Sequence, residues 1–282
     1  MKPRRDRTAL LAAPMAAWMA LFTALPLLYI LVISFLQRDE TWGVTDILTL
    51  DNYRRLLDPI YIKVFTGSIG LAARATLLSL AVGYPFAYAM ARAKPKRRAA
   101  LTLLVVIPFW TSSLMRVYGW MILLQANGPL NTLLLKLGIV ELPAKLLYTQ
   151  GAALLGMVYT LLPFMILPCH TAIERLDPRV TDAARDLGAS PAKAFLTVTL
   201  PLTMPGIMSG CMLVFVPTMG LYYVYDLLGG GKGAILGRVI HDQMLSARNP
   251  PFGAALSVAL IALTGAVVAL QRRLGGRDIG FF

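Results

Sequence analysis

The residues of this chain best suited to bind a ligand are three tyrosines and a carboxylate within five positions: Tyr222, Tyr223, Tyr225 and Asp226. Alkylammonium groups are attracted to aromatic faces by about 0.5–2 kcal/mol, and a carboxylate adds a directional counter-charge. Residues four apart, such as Tyr222 and Asp226, share one face of a helix. The cluster predicts a binding place for an organic cation on a transport pathway. The alternative is a belt of tyrosines at a membrane interface.

Two further aromatic residues, Trp110 and Tyr118, are candidates for the same pathway. They lie near the end of an apolar stretch, where tryptophan and tyrosine are enriched in any membrane protein. An interfacial belt is therefore the favoured interpretation for both, and also for the neighbouring Trp120.

Other reactive residue types form no recognisable site. The glycine-rich run 229–233 lacks the first glycine and the final Ser or Thr that a phosphate-binding loop needs. His170 and His241 are isolated, without metal-ligand spacing, and Cys169 and Cys211 make no Cys-x-x-Cys pair. The sequence predicts no enzymatic activity, no metal and no cofactor bound by this chain.

The elements that must carry these residues are apolar. The chain is 57% hydrophobic and 15% charged, whereas soluble domains have roughly 25% charged residues. A helix needs about 20 mostly apolar residues to cross a bilayer, and six stretches of the chain meet this requirement. We therefore predict an all-α integral membrane protein, one transmembrane domain over residues 1–282, with spans near 9–36, 64–91, 99–124, 151–171, 205–225 and 252–270.

The distribution of charge predicts the orientation. The net charge is +13, and the basic residues concentrate before the first stretch, in the turn 92–98, in the loop 172–204 and after the last stretch. Basic residues beside spans are retained inside, so both termini are expected in the cytoplasm. No basic stripe with interleaved stacking aromatics indicates nucleic-acid binding. The first stretch is too long for a cleaved signal peptide, which predicts an uncleaved span.

Two arginines fall within apolar stretches. Arg116 is far enough along the third stretch to reach the outer interface, at 1.5 Å per residue. Arg74 lies near the middle of the second stretch, where an ionisable residue is a functional candidate by default. A fixed positive charge would repel a cationic cargo, so Arg74 is expected to face backbone carbonyls or a partner subunit.

The loop 172–204 is polar, unlike its surroundings, and carries an ordered pattern. The pattern is an acidic residue and two alanines, a glycine after three residues, an aliphatic residue after nine more, and then Leu-Pro. A short helix is predicted over 177–187, a positive φ at Gly188, and a second helix starting at Ser190 and Pro191. An amphipathic helix on the lipid surface is the alternative. The pattern residues are Asp182, Ala183, Ala184, Gly188, Val198, Leu200 and Pro201.

This pattern resembles the cytoplasmic coupling ("EAA") loop of importer-type ABC transporter permeases, with Asp182 in place of Glu and Val198 in place of Ile. The segment 217–232 resembles the spermidine/putrescine type. Six other short motifs are similar to the polyamine, opine and phosphonate class of these permeases: residues 50–53, 83–85, 108–111, 116–118, 161–164 and 246–249.

The resemblance implies a type I importer permease fold with six spans, in the bacterial inner (plasma) membrane. It implies a second homologous permease, two cytoplasmic ATPase subunits that hold ATP and Mg²⁺, and an external polyamine-binding protein. It also implies that six residues of this loop receive the mechanical force from the ATPase subunits: Asp182, Ala183, Ala184, Gly188, Leu200 and Pro201. A permease for another amine-bearing solute, such as an amino acid, opine or aminophosphonate, is the nearer alternative. A secondary transporter should show inverted repeats, which the sequence does not display.

Overall fold

The computed structural model describes residues 14–39, 43–231 and 235–274. The first five residues of the first predicted span, 9–13, and Lys232 lie outside the described residues. The described chain is mainly helical, and its helices are α1 Pro14–Ile33, α2 Asp51–Leu56, α3 Pro59–Arg92, α4 Pro95–Val106, α5 Ser113–Leu124, α6 Pro129–Lys136, α7 Gln150–Glu174, α8 Pro178–Asp186, α9 Pro191–Gly220, α10 Tyr222–Gly229, α11 Leu236–His241 and α12 Pro250–Leu274. A hairpin of β1 Leu36–Arg38 and β2 Val44–Leu48 follows α1, with antiparallel pairing.

Among the described residues, five helices are long and apolar enough to cross a membrane: α1, α3, α7, α9 and α12. The third predicted span, 99–124, is not one straight helix. A 3₁₀ turn, Ile107–Trp110, extends α4, and the chain then bends by 96° before the α5–α6 segment. The count of six spans therefore holds only when this bent pair is taken as one span.

The bend in the third span has a local cause. Thr111 and Ser112 have extended backbone, with ψ of 147° and 134°. Pro108 cannot donate a backbone hydrogen bond, and its carbonyl accepts both the N–H (3.2 Å) and the hydroxyl (2.8 Å) of Thr111. The Thr111 N–H and hydroxyl are thus satisfied within the turn, as polar groups of irregular backbone in a membrane must be.

The fifth predicted span, 205–225, also differs from the structure. The helix α9 starts at Pro191 and ends at Gly220, and Leu221 (φ −78°, ψ 56°) separates it from α10. The first turn of α11 packs against this break, since a Cβ on Gly237 would lie 2.9 Å from the Gly220 carbonyl oxygen. The tyrosine cluster therefore occupies a separate short helix instead of the end of the fifth span.

The described residues divide into two compact units. The first comprises the described parts of 1–63 and 238–263. In it, Asn52 donates to the carbonyls of Ser34 (3.0 Å) and Leu36 (2.9 Å), which ties α2 to the hairpin. Arg55 lies 4.3 Å from the centre of the Phe252 ring. The division does not test the single-domain prediction, which stays a prediction.

The second unit, within 64–237 and 264–282, contains the sites of interest. Its core has two clusters of buried side chains: one joins α3, α5, α7 and α10, and the other joins α3, α4, α7 and α9. Gly206 lets α9 approach α7 closely, because a Cβ there would lie 2.4 Å from Ala172 Cβ and 2.7 Å from the Pro168 carbonyl oxygen. Small residues of this kind permit close helix packing in membranes.

Candidate functional site

The polar loop forms two helices joined by a sharp turn, and we call residues 177–201 the elbow segment. Its first helix, α8, is capped at both ends. The Asp177 carboxylate accepts a hydrogen bond from the Arg179 N–H at 2.9 Å. At the other end, the N–H of Ala189 donates to the Ala184 carbonyl (3.0 Å) and that of Gly188 to the Arg185 carbonyl (2.8 Å). This pair of bonds is the Schellman arrangement that ends many helices.

Gly188 provides the turn of the elbow segment. Its φ is +87°, and a Cβ built on it would meet nothing within 4 Å. The position therefore requires glycine for its backbone conformation and not for lack of space. The next helix, α9, begins with the predicted cap, in which the Ser190 hydroxyl accepts from the Lys193 N–H at 3.3 Å, and Pro191 holds the first position.

One side of α8 is open to solvent. Asp182 and Ala183 are exposed, and Leu187 is 89% exposed, whereas Thr181 is buried. Ala183 and Leu187 are four residues apart and share a face. This side of α8, with an exposed leucine beside a small alanine, is therefore open to contact by another molecule.

The three remaining pattern residues lie inside α9: Val198, Leu200 and Pro201. Phe195–Thr199 forms a π turn in which the Leu200 N–H donates to the Phe195 carbonyl. This wider turn directly precedes Pro201, which has no N–H to continue the normal α-helical pattern. Leu200 is half-buried and packs against the second core cluster.

Aromatic side chains attach the elbow segment to α3. The ring of Phe195 lies 6.0 Å from that of Tyr84 and 5.8 Å from that of Tyr88, both edge to face. The Tyr84 hydroxyl is also 2.8 Å from the hydroxyl of Thr203 on α9. A displacement of the elbow segment would therefore be transmitted to α3 through these contacts.

The second candidate site is the aromatic segment, which we define as residues 221–226. Tyr222, Tyr223 and Asp226 are half-buried on α10. The rings of Tyr222 and Tyr223 meet edge to face at 6.4 Å. The Tyr223 hydroxyl is 2.7 Å from that of Ser113 at the start of α5, a partner that the sequence does not single out. Two aromatic rings and a carboxylate thus lie within one short helix.

Tyr225 occupies a different environment from the other two tyrosines. It is 6% exposed and belongs to the first core cluster together with Val224 and Leu228. The contact with α7 is close, since a Cβ on Gly156 would lie 2.2 Å from Leu228 Cδ1. Tyr225 therefore packs in the core in this structure and is not at an open surface.

Trp110 and Tyr118 are not gathered into the aromatic segment. Trp110 is 80% exposed at the end of the 3₁₀ turn, and Tyr118 is 45% exposed on α5. Exposed aromatic residues near the end of a span are typical of an interfacial belt. Their role in a substrate pathway stays a prediction.

The two arginines of the apolar stretches have distinct surroundings. Arg74 is exposed on α3, and its Nε donates to the Gly70 carbonyl at 3.2 Å, in line with the expected carbonyl partner. The guanidinium of Arg116 lies 5.8 Å from the centre of the Phe109 ring, which in turn packs edge to face on Phe164 at 5.3 Å. The motifs 108–111 and 161–164 do not reveal that Phe109 and Phe164 pair, because tertiary packing brings α4 and α7 together here.

Comparison with known proteins identifies a protein family that matches this chain. Residues 83–277 match the model for "Binding-protein-dependent transport system inner membrane component". The "Spermidine/putrescine transport system permease protein PotB" of Escherichia coli (strain K12) is 47% identical over 256 residues, which cover 91% of this chain and 93% of that protein. The protein of the same name from Haemophilus influenzae is 46% identical, with 91% and 90% covered.

A solved structure has a similar fold. It is that of a bacterial ABC transporter involved in the import of the acidic polysaccharide alginate, and one of its chains aligns with a TM-score of 0.76 at 17% identity, with 97% of each chain covered. At this level of identity the likeness concerns the fold alone. Together with the apolar helices, it gives the described chain the helical architecture of an ABC importer permease.

Proposed function

The chain belongs to the family of binding-protein-dependent transport system inner membrane components, and we propose that it is the permease subunit of an ATP-driven importer of polyamines such as spermidine and putrescine. The observation that carries this function is the 47% identity with a spermidine/putrescine permease over 91% of the chain. It is a multi-pass membrane protein with a transport role and not an enzymatic one.

The aromatic segment supports a polyamine cargo. A polyamine is a flexible alkyl chain with several ammonium groups, and Tyr222, Tyr223 and Asp226 offer the aromatic faces and the carboxylate that such groups prefer. We propose that these three residues contact the cargo. Tyr225 supports them from the core by packing between α10 and α7.

The elbow segment supports coupling to ATP hydrolysis. We propose that Asp182, Ala183, Ala184 and Gly188 present the α8 surface to a cytoplasmic ATPase subunit. Leu200 and Pro201 would then pass its displacement into α9. ATP and Mg²⁺ would be held by two ATPase subunits, whose closure opens the pathway outward and whose hydrolysis of ATP returns it inward.

The remaining partners follow from the same proposal. A second, homologous permease would complete the pathway, and an external binding protein would deliver the polyamine. We place the chain in the bacterial inner membrane with both termini in the cytoplasm and six crossings, the bent α4–α5 pair forming one. Arg74, exposed on α3, would face the second permease in this arrangement.

Transport by the co-expressed complex tests the function. The complex of both permeases, the ATPase subunits and the binding protein is reconstituted into vesicles, and uptake of labelled putrescine and spermidine is measured with and without ATP. We expect ATP-dependent uptake of both polyamines that excess amino acid does not reduce. Uptake that amino acids abolish would contradict a polyamine importer, as would uptake that persists without ATP.

A further inference from the structure

Glu174 connects the elbow segment to the transmembrane helices. It is the last residue of α7, and Asp177, the cap of α8, follows only three positions later. Along the backbone, a displacement of α8 therefore reaches Glu174 before the rest of α7. The contacts of this carboxylate determine which other helices would move with α8.

The Glu174 carboxylate is held by one arginine. Its Oε1 accepts a hydrogen bond from Arg98 Nη1, in the first turn of α4, and its Oε2 lies 3.7 Å from Nδ1 of His170, one turn earlier in α7. The same guanidinium donates through Nη2 to the Ala91 carbonyl at 3.2 Å. Ala91 is next to the last residue of α3, so Arg98 joins the ends of three helices: α3, α4 and α7.

This arrangement contributes little to overall stability. The side chains of Arg98 and Glu174 are 34% and 43% exposed, and ion pairs that solvent screens in this way add little to the stability of a fold. The planar guanidinium nevertheless fixes direction, because its two ends bind different helices at once. A contact of this kind suits the transfer of a displacement better than the stabilisation of the fold.

Two contacts of different kinds lie near the two ends of the elbow segment, within its unit. At its far end, Phe195 packs on Tyr84 and Tyr88 of α3. Three residues before its near end, on α7, lies the ionic contact of Glu174 with Arg98. We propose that Arg98 and Glu174 form a clamp through which a displacement of the elbow segment moves the inner ends of α3, α4 and α7 together. The clamp rests on the proposed coupling function, and Arg98 and Glu174 are positioning residues in it.

Charge exchange tests the clamp in the reconstituted complex. Arg98→Glu and Glu174→Arg each place like charges together, and the pair of substitutions restores opposite charges. We expect each single variant to lower putrescine uptake per ATP hydrolysed by roughly tenfold, the range of contacting pairs. The double variant should return to within about twofold of wild type. Arg97→Glu is the matched control, because this substitution makes the same charge change one residue away, at an exposed side chain.

The readout separates positioning from simple folding. A variant that only folds poorly would yield less complex, with normal uptake per ATP in the complex that remains, and this result would overturn the clamp. A double variant no better than the single ones would overturn it too, as would an equal loss in Arg97→Glu. A wild-type complex that hydrolyses ATP without moving putrescine would instead contradict the proposed function. The clamp is then decided by whether the single variants change the stimulation of ATP hydrolysis by the binding protein and the double variant restores it.

Discussion

The elbow segment is held in shape by bonds within itself, whereas the aromatic segment is held by residues far away in the sequence. Asp177, Gly188 and Ser190 cap and turn the elbow through contacts two to five residues apart. The aromatic segment depends on Ser113 and on α7. The caps and the turn of the elbow should therefore keep their shape when residues elsewhere in the chain are changed, and the aromatic segment should not.

The largest effect is expected from Gly188→Val. A β-branched residue at φ +87° is strained by about 1–2 kcal/mol, so the turn must change shape although space is open. We expect insertion to be intact and both uptake and stimulated ATP hydrolysis to fall by more than about tenfold. The measurement is uptake and ATPase activity in vesicles with equal amounts of complex.

Gly138→Val is the matched control for this prediction. Gly138 also has a positive φ, +66°, and open space around it, but it lies after α6, outside the elbow segment. Its substitution introduces the same strain and should leave coupling intact. An equal loss of uptake in both variants would show that strain alone, and not the elbow, is responsible.

The elbow segment could be predicted from the sequence better than the aromatic segment, because its contacts are local. Local chemistry specifies a helix end, so Gly188 and Ser190 reveal the shape of the elbow in the sequence. The break at Leu221 and the 96° bend after Trp110 carry no equally strong local signal. The approach of Gly237 to Gly220, for example, brings together residues 17 positions apart, and apolar composition cannot reveal it.

The burial of Tyr225 also depends on contacts that the sequence does not reveal. Composition places three tyrosines beside a carboxylate, but only packing against α7 decides which of them enters the core. The sequence identifies the segment, and tertiary structure separates Tyr225 from Tyr222 and Tyr223.

The next largest effect is expected from Asp226→Asn. Loss of a charged partner for an ammonium group costs about 1.5–3 kcal/mol, which predicts a fall of roughly tenfold or more in polyamine uptake at limiting substrate. The amount of assembled complex should not change. Asp58→Asn, an exposed carboxylate of the first unit, is the control. Unchanged uptake in Asp226→Asn would make this carboxylate structural.

A smaller effect should distinguish the ring of Tyr223 from its hydroxyl. Tyr223→Leu removes the aromatic face and about 0.5–1 kcal/mol of attraction for an ammonium group, so uptake should fall two- to fivefold by this estimate. Tyr223→Phe keeps the ring and loses only the bond to Ser113. We expect its uptake to stay near wild type, measured in the same vesicles. Equal losses in the two variants would assign the role to the hydroxyl.

The smallest effect is expected from Ser190→Ala. Removal of this cap costs about 1 kcal/mol locally, and the Lys193 N–H loses its acceptor. Hydrogen exchange at the start of α9 should become faster, while uptake stays within about twofold of wild type. Exchange that is unchanged would mean that Pro191 and the following turn define the helix start without the serine.

The claim on which the account depends is that an ATPase subunit contacts the exposed face of α8. A photo-activated cross-linking residue at position 187, where the leucine is 89% exposed, tests it in the intact complex. We expect illumination of whole cells to give an adduct with the ATPase subunit, with no external cross-linking reagent added. Adducts with lipid or with the external binding protein, and none with the ATPase, would contradict it.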